Sequence, residues 1–231
     1  WFRQDLRLAD NEALHAAVAT GRPLVPVYLL DPAGDGTWTP GGATRWWLHG
    51  SLAALDASLR KIGSRLTLRQ GDAATILPEL LRETGATAVY WNRRYEPASI
   101  ARDTRLKTDL RAMGVEARSF SGALLREPAT VSNKSGGPFQ VFTPFYKHLL
   151  TLPALPVPLP APARLAAPAR WPAGVSLADF HLLPTIDWAG GMRAAWAPGE
   201  AGAAEMLDQF DDRRATRYNA DRDQPALPAT S

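Results

Sequence analysis

The fold predicted for the first 127 residues is a doubly wound α/β domain: a Rossmann-like sheet of five parallel strands with helices on both faces. Three observations carry this. Short runs rich in β-branched and aromatic residues alternate with stretches of helical period. The connections between those runs are long enough for crossover helices, as parallel strands require. After Phe120 the alternation ends, and a glycine-rich turn, a proline-rich tract and new helical patterns follow.

Trp1-Phe2-Arg3 reads as the tail of a first strand whose beginning is missing, and a chain opening on Trp1 reads as a fragment. A polar loop, QDLRLAD, leads into a helix from about Asn11 to Thr20, with Asp10 as N-cap and Gly21 at its end. Pro23 to Leu30 is a continuous apolar run, as a strand covered on both faces needs. Leu48, Leu52, Leu55, Leu59 and Ile62 recur at spacings of four and three, predicting a helix from about Ala43 to Ile62. Arg65 to Gln70 is a short strand, and Gly71-Asp72 begins a helix that turns Ile76, Leu77, Leu80 and Leu81 inward.

Ala88 to Trp91 is the fourth strand, followed by the polar loop NRRYEP, with Pro97 suited to a first helical position. The next helix carries Ile100, Leu106, Leu110 and Met113, and Val115 to Phe120 is the fifth strand. In open α/β sheets ligands bind beyond the carboxyl ends of the strands. If the common strand order holds, the first and fourth strands are neighbours and the loops QDLR and NRRYEP face one crevice. Asn92, Arg93, Arg94, Tyr95 and Glu96 are therefore candidate site residues, against the plain alternative of a solvated connecting loop.

Residues 128–195 are expected to connect two domains. Thr143-Pro144 would cap a short helix running to about Leu152, and seven prolines among residues 153–172 make an extended, semi-stiff connector. Residues 196–231 would begin a truncated α-helical domain, with Ala203, Met206, Leu207 and Phe210 on one face. The 26 Lys and Arg against 23 Asp and Glu lean basic without forming a charge run. With no cysteine and four scattered histidines there is no thiolate chemistry and no zinc spacing, so no metal is expected. With no cysteine the chain is expected to be cytoplasmic, no apolar stretch approaches the roughly 18 residues a membrane span needs, and a monomer is expected.

Three ordered motifs, WFRQDLRLADNEAL, GGPFQVFTPF and WAPGEAGAAEMLDQF with YNADRDQPALPATS, resemble the DNA photolyase and cryptochrome family across essentially the whole chain. The resemblance implies an amino-terminal domain holding a light-harvesting pigment, a linker, and the start of an FAD-binding helical domain. It implies light-driven repair of DNA containing cyclobutane pyrimidine dimers, by electron transfer from reduced FAD to a lesion flipped out of the duplex. A cryptochrome-type photoreceptor without repair activity is the alternative. Tyr218, Thr230 and Ser231 match the family's flavin-binding pattern, and Arg222 matches a position that approaches the DNA backbone. The fragment itself is expected to be inactive, with no catalytic residue inside it.

The antenna pattern departs from the family. Ala98 and Ser99 stand where methenyltetrahydrofolate-binding members carry Asn-Glu, and Arg94 stands where deazaflavin-binding members carry an acidic residue. A folate held differently, against Trp46 or Trp47, and an empty crevice both stay open; Asn92, Arg94 and Glu96 are the other antenna candidates. A stand-alone flavoprotein electron carrier is disfavoured because QDLRLAD contains no glycine.

Overall fold

The computed structural model describes residues 1–31, 39–210 and 214–224. Its amino-terminal part alternates helix and strand: α1 Glu12–Ala19, β1 Val27–Leu30, α2 Gly42–Lys61, β2 Thr67–Gln70, α3 Ala73–Thr84, β3 Ala88–Asn92, α4 Pro97–Ala112 and β4 Glu116–Phe120. β1 pairs in parallel with β2, and β3 with β4. Residues 1–3 run between the two pairs. Phe2 makes a parallel bridge with Tyr28 and donates its N–H to Val27 O at 2.8 Å, while the Trp1 amine donates to Tyr90 O at 2.9 Å. The predicted first strand is thus a single bridge among the described residues, because a ladder needs several consecutive residues in register and only Phe2 qualifies, whereas the predicted fifth strand is present as β4. The expected adjacency of the first segment and the fourth predicted strand does hold, through the Trp1–Tyr90 bond.

Alternation along the strands feeds two cores. Tyr28 and Leu68 join Leu14 of α1 and Leu52, Leu55 and Leu59 of α2 on one face. Val27, Leu29 and Ala117 join Leu77, Leu80 and Leu81 of α3 and Leu106 and Leu110 of α4 on the other. Each leucine so enclosed contributes about 1.5–3 kcal/mol relative to exposure. These helices therefore cover both faces, which is the doubly wound arrangement.

Several boundaries move for local reasons. Asn11 caps α1 by accepting from Leu14 N at 3.0 Å, while Asp10, expected as the cap, takes a left-handed conformation. Pro23 and Pro26 keep the start of the apolar run out of the ladder, so β1 begins at Val27. α4 turns Ser99, Asp103, Leu106 and Leu110 inward, leaving Ile100 and Met113 about half exposed. Val141, not Thr143, stands at the N-cap of α5 Phe142–Thr151.

The proline-rich tract has no helix, as expected, but it is fastened to the α/β part rather than hung between parts. Leu165 is buried in the first core, its N–H donates to Ile62 O, and Leu24 N donates to Ala166 O. Further on, Val175 N donates to Leu68 O along the outer edge of β2. α6 Gly190–Ala195, α7 Glu200–Gln209 and α8 Tyr218–Asp221 follow, and none of them, nor α5, has a buried residue. In α7 the expected shared face breaks up: Leu207 is 65% exposed and Ala203 is also exposed, because Gly202, Met206 and Gln209 are the positions turned toward the rest of the chain.

Candidate functional site

The two polar loops meet through buried hydrogen bonds. The Arg3 guanidinium forks onto Asp103, Nη1 lying 3.0 and 2.7 Å from its two oxygens, and Nη2 donates to the carbonyl of Asn92. Asp103 also accepts from Trp91 Nε1 at 3.1 Å. Asn92 Nδ2 donates to Asp5 Oδ2 at 2.6 Å and to Asn11 Oδ1 at 2.9 Å, and Asn92 Oδ1 accepts from Ala13 N at 3.1 Å. Burial pulls the pKa of Arg3 down from its ordinary value, and the Asp103 carboxylate opposes that shift. The helix α4 supplies Asp103 because this carboxylate occupies an inward position four residues after Ser99 and three before Leu106.

Asn92, expected to face a ligand, therefore spends both amide hydrogens and its oxygen inside the protein. Its physical role is to join loop to loop. A Cβ on Gly122 would lie 2.5 Å from Asn92 Cγ, so a glycine is what lets the junction close.

Beyond this junction, at the carboxyl ends of the strands, lies a crevice of about 700 Å³. The first loop lines it with Arg3, Gln4, Leu6 and Arg7; the ends of β1 and β2 add Asp31 and Gln70; the loop after β3 adds Arg94. α2 contributes Trp47 and Leu48, and α7 closes the far side with Glu200 and Ala203. Five arginines (Arg3, Arg7, Arg45, Arg94, Arg102) line it with Asp31 and Glu200, and three of them are already paired, Arg3 and Arg102 with Asp103 and Arg94 with Glu96. Trp1 also lines it, with the guanidiniums of Arg3 and Arg102 at 4.7 and 5.3 Å from its ring. Trp1 Nε1 and Arg3 Nε are buried donors with no hydrogen-bond partner among the described residues.

Of the other expected antenna residues, Arg94 reaches the crevice and is gripped by Glu96, Nε to Oε2 at 3.2 Å and Nη2 to Oε1 at 3.0 Å. The hydrogen bonds from Arg94 hold the Glu96 carboxyl down to about 2. Glu96 itself does not line the crevice, since it turns outward to make that pair. Trp46 is buried, at 7% exposure, and also does not line it; its neighbour Trp47 does, at 37%. Arg93 and Tyr95 point elsewhere: Arg93 Nη2 and Tyr95 OH both donate to Glu127 Oε1, at 2.9 and 2.7 Å. Burial works to raise Glu127, but these donors prevail and its carboxyl stays below its ordinary value. Ser99 is enclosed at 1% exposure and Ala98 faces solvent, so neither offers a ligand contact in the crevice.

Asp103, Glu127 and Glu200 were not anticipated. Only Asp103 carried a sequence signal, a carboxylate in the inward register of a helix.

Tyr218 opens α8, is 39% exposed, and sets its ring edge-on to Phe210 at 6.0 Å. Arg222 ends that helix, its N–H donating to Tyr218 O at 2.9 Å and its Nε 3.9 Å from Asp223. Thr230 and Ser231 lie outside the described residues.

A sequence profile described as DNA photolyase matches residues 1–163. A deoxyribodipyrimidine photo-lyase from Agrobacterium fabrum is 50% identical over 232 residues, covering 100% of this chain and 48% of that protein. Cryptochrome-1 of Arabidopsis thaliana is 36% identical, covering 100% of this chain and 34% of its own length. The crystal structure of a class III photolyase from Agrobacterium tumefaciens superposes with a TM-score of 0.93 at 49% identity, over 100% of this chain and 47% of the other. The chain thus spans about half the length of these photolyases or less of the cryptochrome.

Proposed function

This chain belongs to the DNA photolyase family, and from that premise we propose that its crevice holds a light-harvesting chromophore in a deoxyribodipyrimidine photo-lyase. The observation that carries the reading is the crevice of about 700 Å³ at the carboxyl ends of the strands, lined by Trp1 and Arg3, whose Nε1 and Nε are buried donors with no partner among the described residues. A planar pigment with acceptor atoms, of the methenyltetrahydrofolate or deazaflavin kind, fits that chemistry. Trp1 and Arg3 would donate to it, Arg94 would meet its negative charge, and Trp47 and Leu48 would cover its apolar surface. Absorption of near-ultraviolet or blue light is the chemistry such a pigment supplies when bound.

Residues 1–127 act as the antenna domain, 128–195 as the connecting segment and 196–231 as the start of the FAD-binding domain. Tyr218, with Thr230 and Ser231, would hold FAD through hydroxyl groups, and the exposed Arg222 guanidinium would meet the DNA backbone. The whole protein would split cyclobutane pyrimidine dimers by electron transfer from reduced FAD. The assay is light-dependent loss of dimers from irradiated DNA by the complete gene product. Loss under blue light and none in the dark is the expected result. The second reading, a cryptochrome-type photoreceptor, rests on 36% identity to Arabidopsis cryptochrome-1 along the full chain, and flavin photochemistry without dimer loss would select it.

A further inference from the structure

Glu200 makes a contact that neither the photolyase reading nor the antenna pattern assigns. As the first residue of α7 it reaches back across the molecule to the first loop, where Oε2 accepts from Leu8 N and Oε1 from Ala9 N, both at 2.8 Å. Two consecutive backbone donors on the two oxygens of one carboxylate form a charge-assisted clamp with a fixed direction. The approach that permits it is stripped of side chains. A Cβ on Gly199 would fall 2.5 Å from Ala54 Cβ, and one on Gly50 would fall 2.7 Å from the Pro198 ring. Gly199 also sits at φ 109°, where only glycine is at ease.

The rest of α7 offers little alternative hold. It has no buried residue, and Leu207 is mostly exposed. Yet Gly199, Glu200 and Ala203 form one wall of the crevice, and Gln4, Leu6 and Arg7 of the first loop form another. We propose that Glu200 is a positioning residue that fixes α7 against the first loop, sets the width of the crevice, and so couples occupancy of the crevice to the placement of the helical part. The coupling rests on the chromophore reading above; the clamp itself does not.

The experiment compares the chain with its Glu200→Ala, Glu200→Gln and Glu205→Ala variants, following amide exchange at Leu8 and Ala9 and titrating each protein with methenyltetrahydrofolate by absorbance. Glu200→Ala should speed exchange at both amides by roughly tenfold and weaken pigment binding by about as much. Glu200→Gln, which keeps one acceptor oxygen, should fall between, and Glu205→Ala should match the parent. Unchanged exchange at Leu8 and Ala9 in Glu200→Ala overturns the clamp. Faster exchange with unchanged pigment affinity overturns the control of crevice width. Failure of the parent chain to bind pigment, with exchange still accelerated in Glu200→Ala, counts against the chromophore reading and upholds the clamp.

Discussion

The amino-terminal α/β part and the helices after residue 140 hold themselves together by different means. In the first, two apolar cores enclose the sheet and a buried polar junction ties Arg3, Asp5, Asn11, Asn92 and Asp103. In the second, α5 to α8 bury no residue and carry large exposed side chains, Phe142 at 71% and Leu150 at 68% among them. The difference teaches that stability and site geometry reside in the first part, while the second is placed by individual contacts such as the Glu200 clamp and the edge-on Trp47–Trp196 pair at 6.0 Å.

That contrast can be broken most forcefully at the Arg3–Asp103 pair. Asp103→Ala leaves a buried guanidinium without its carboxylate, an expected loss of about 3–5 kcal/mol by denaturant unfolding. A loss below 1 kcal/mol would mean the junction is not what holds the loops.

Gly122→Ala drives a Cβ to 2.5 Å from a side chain pinned by three hydrogen bonds, and should cost about 1–3 kcal/mol in the same unfolding measurement. At the other extreme, Leu207→Gln on exposed α7 should stay within about 0.5 kcal/mol of the parent. A large loss there would mean that α7 buries an apolar face after all.

The parts legible in the sequence are those with local causes. Gly21 ends α1 with positive φ, Gly71-Asp72 begins α3 as read, and Pro97 opens α4. The leucine spacing of α2 returns as its buried stripe. What was illegible depends on partners distant in the chain. The register of Asp103 with Leu106 and Leu110 was visible, but the counter-charge that lets it face inward comes from Arg3, 100 residues earlier, and an apolar reading of α4 put Ile100 and Met113 there instead. Likewise the loops QDLR and NRRYEP reach one crevice as expected, but Asn92 and Glu96 are drawn away from it by Asp5 and Arg94. Leu165 looked like one more residue of a loose connector, and its burial follows from the groove beside Leu59 and Leu66 that only the folded domain offers.

The claim on which the account turns is that the crevice beyond the strand ends is a chromophore site read by Trp1 and Arg3. Nitrogen-edited NMR of the chain titrated with methenyltetrahydrofolate follows the Nε1–H of Trp1 and the Nε–H of Arg3 individually. The account predicts that both resonances shift with saturation while the enclosed Trp91 indole stays in place. Pigment that binds without moving either one, or that instead perturbs residues around Leu77 and Leu80 on the opposite face, would contradict it.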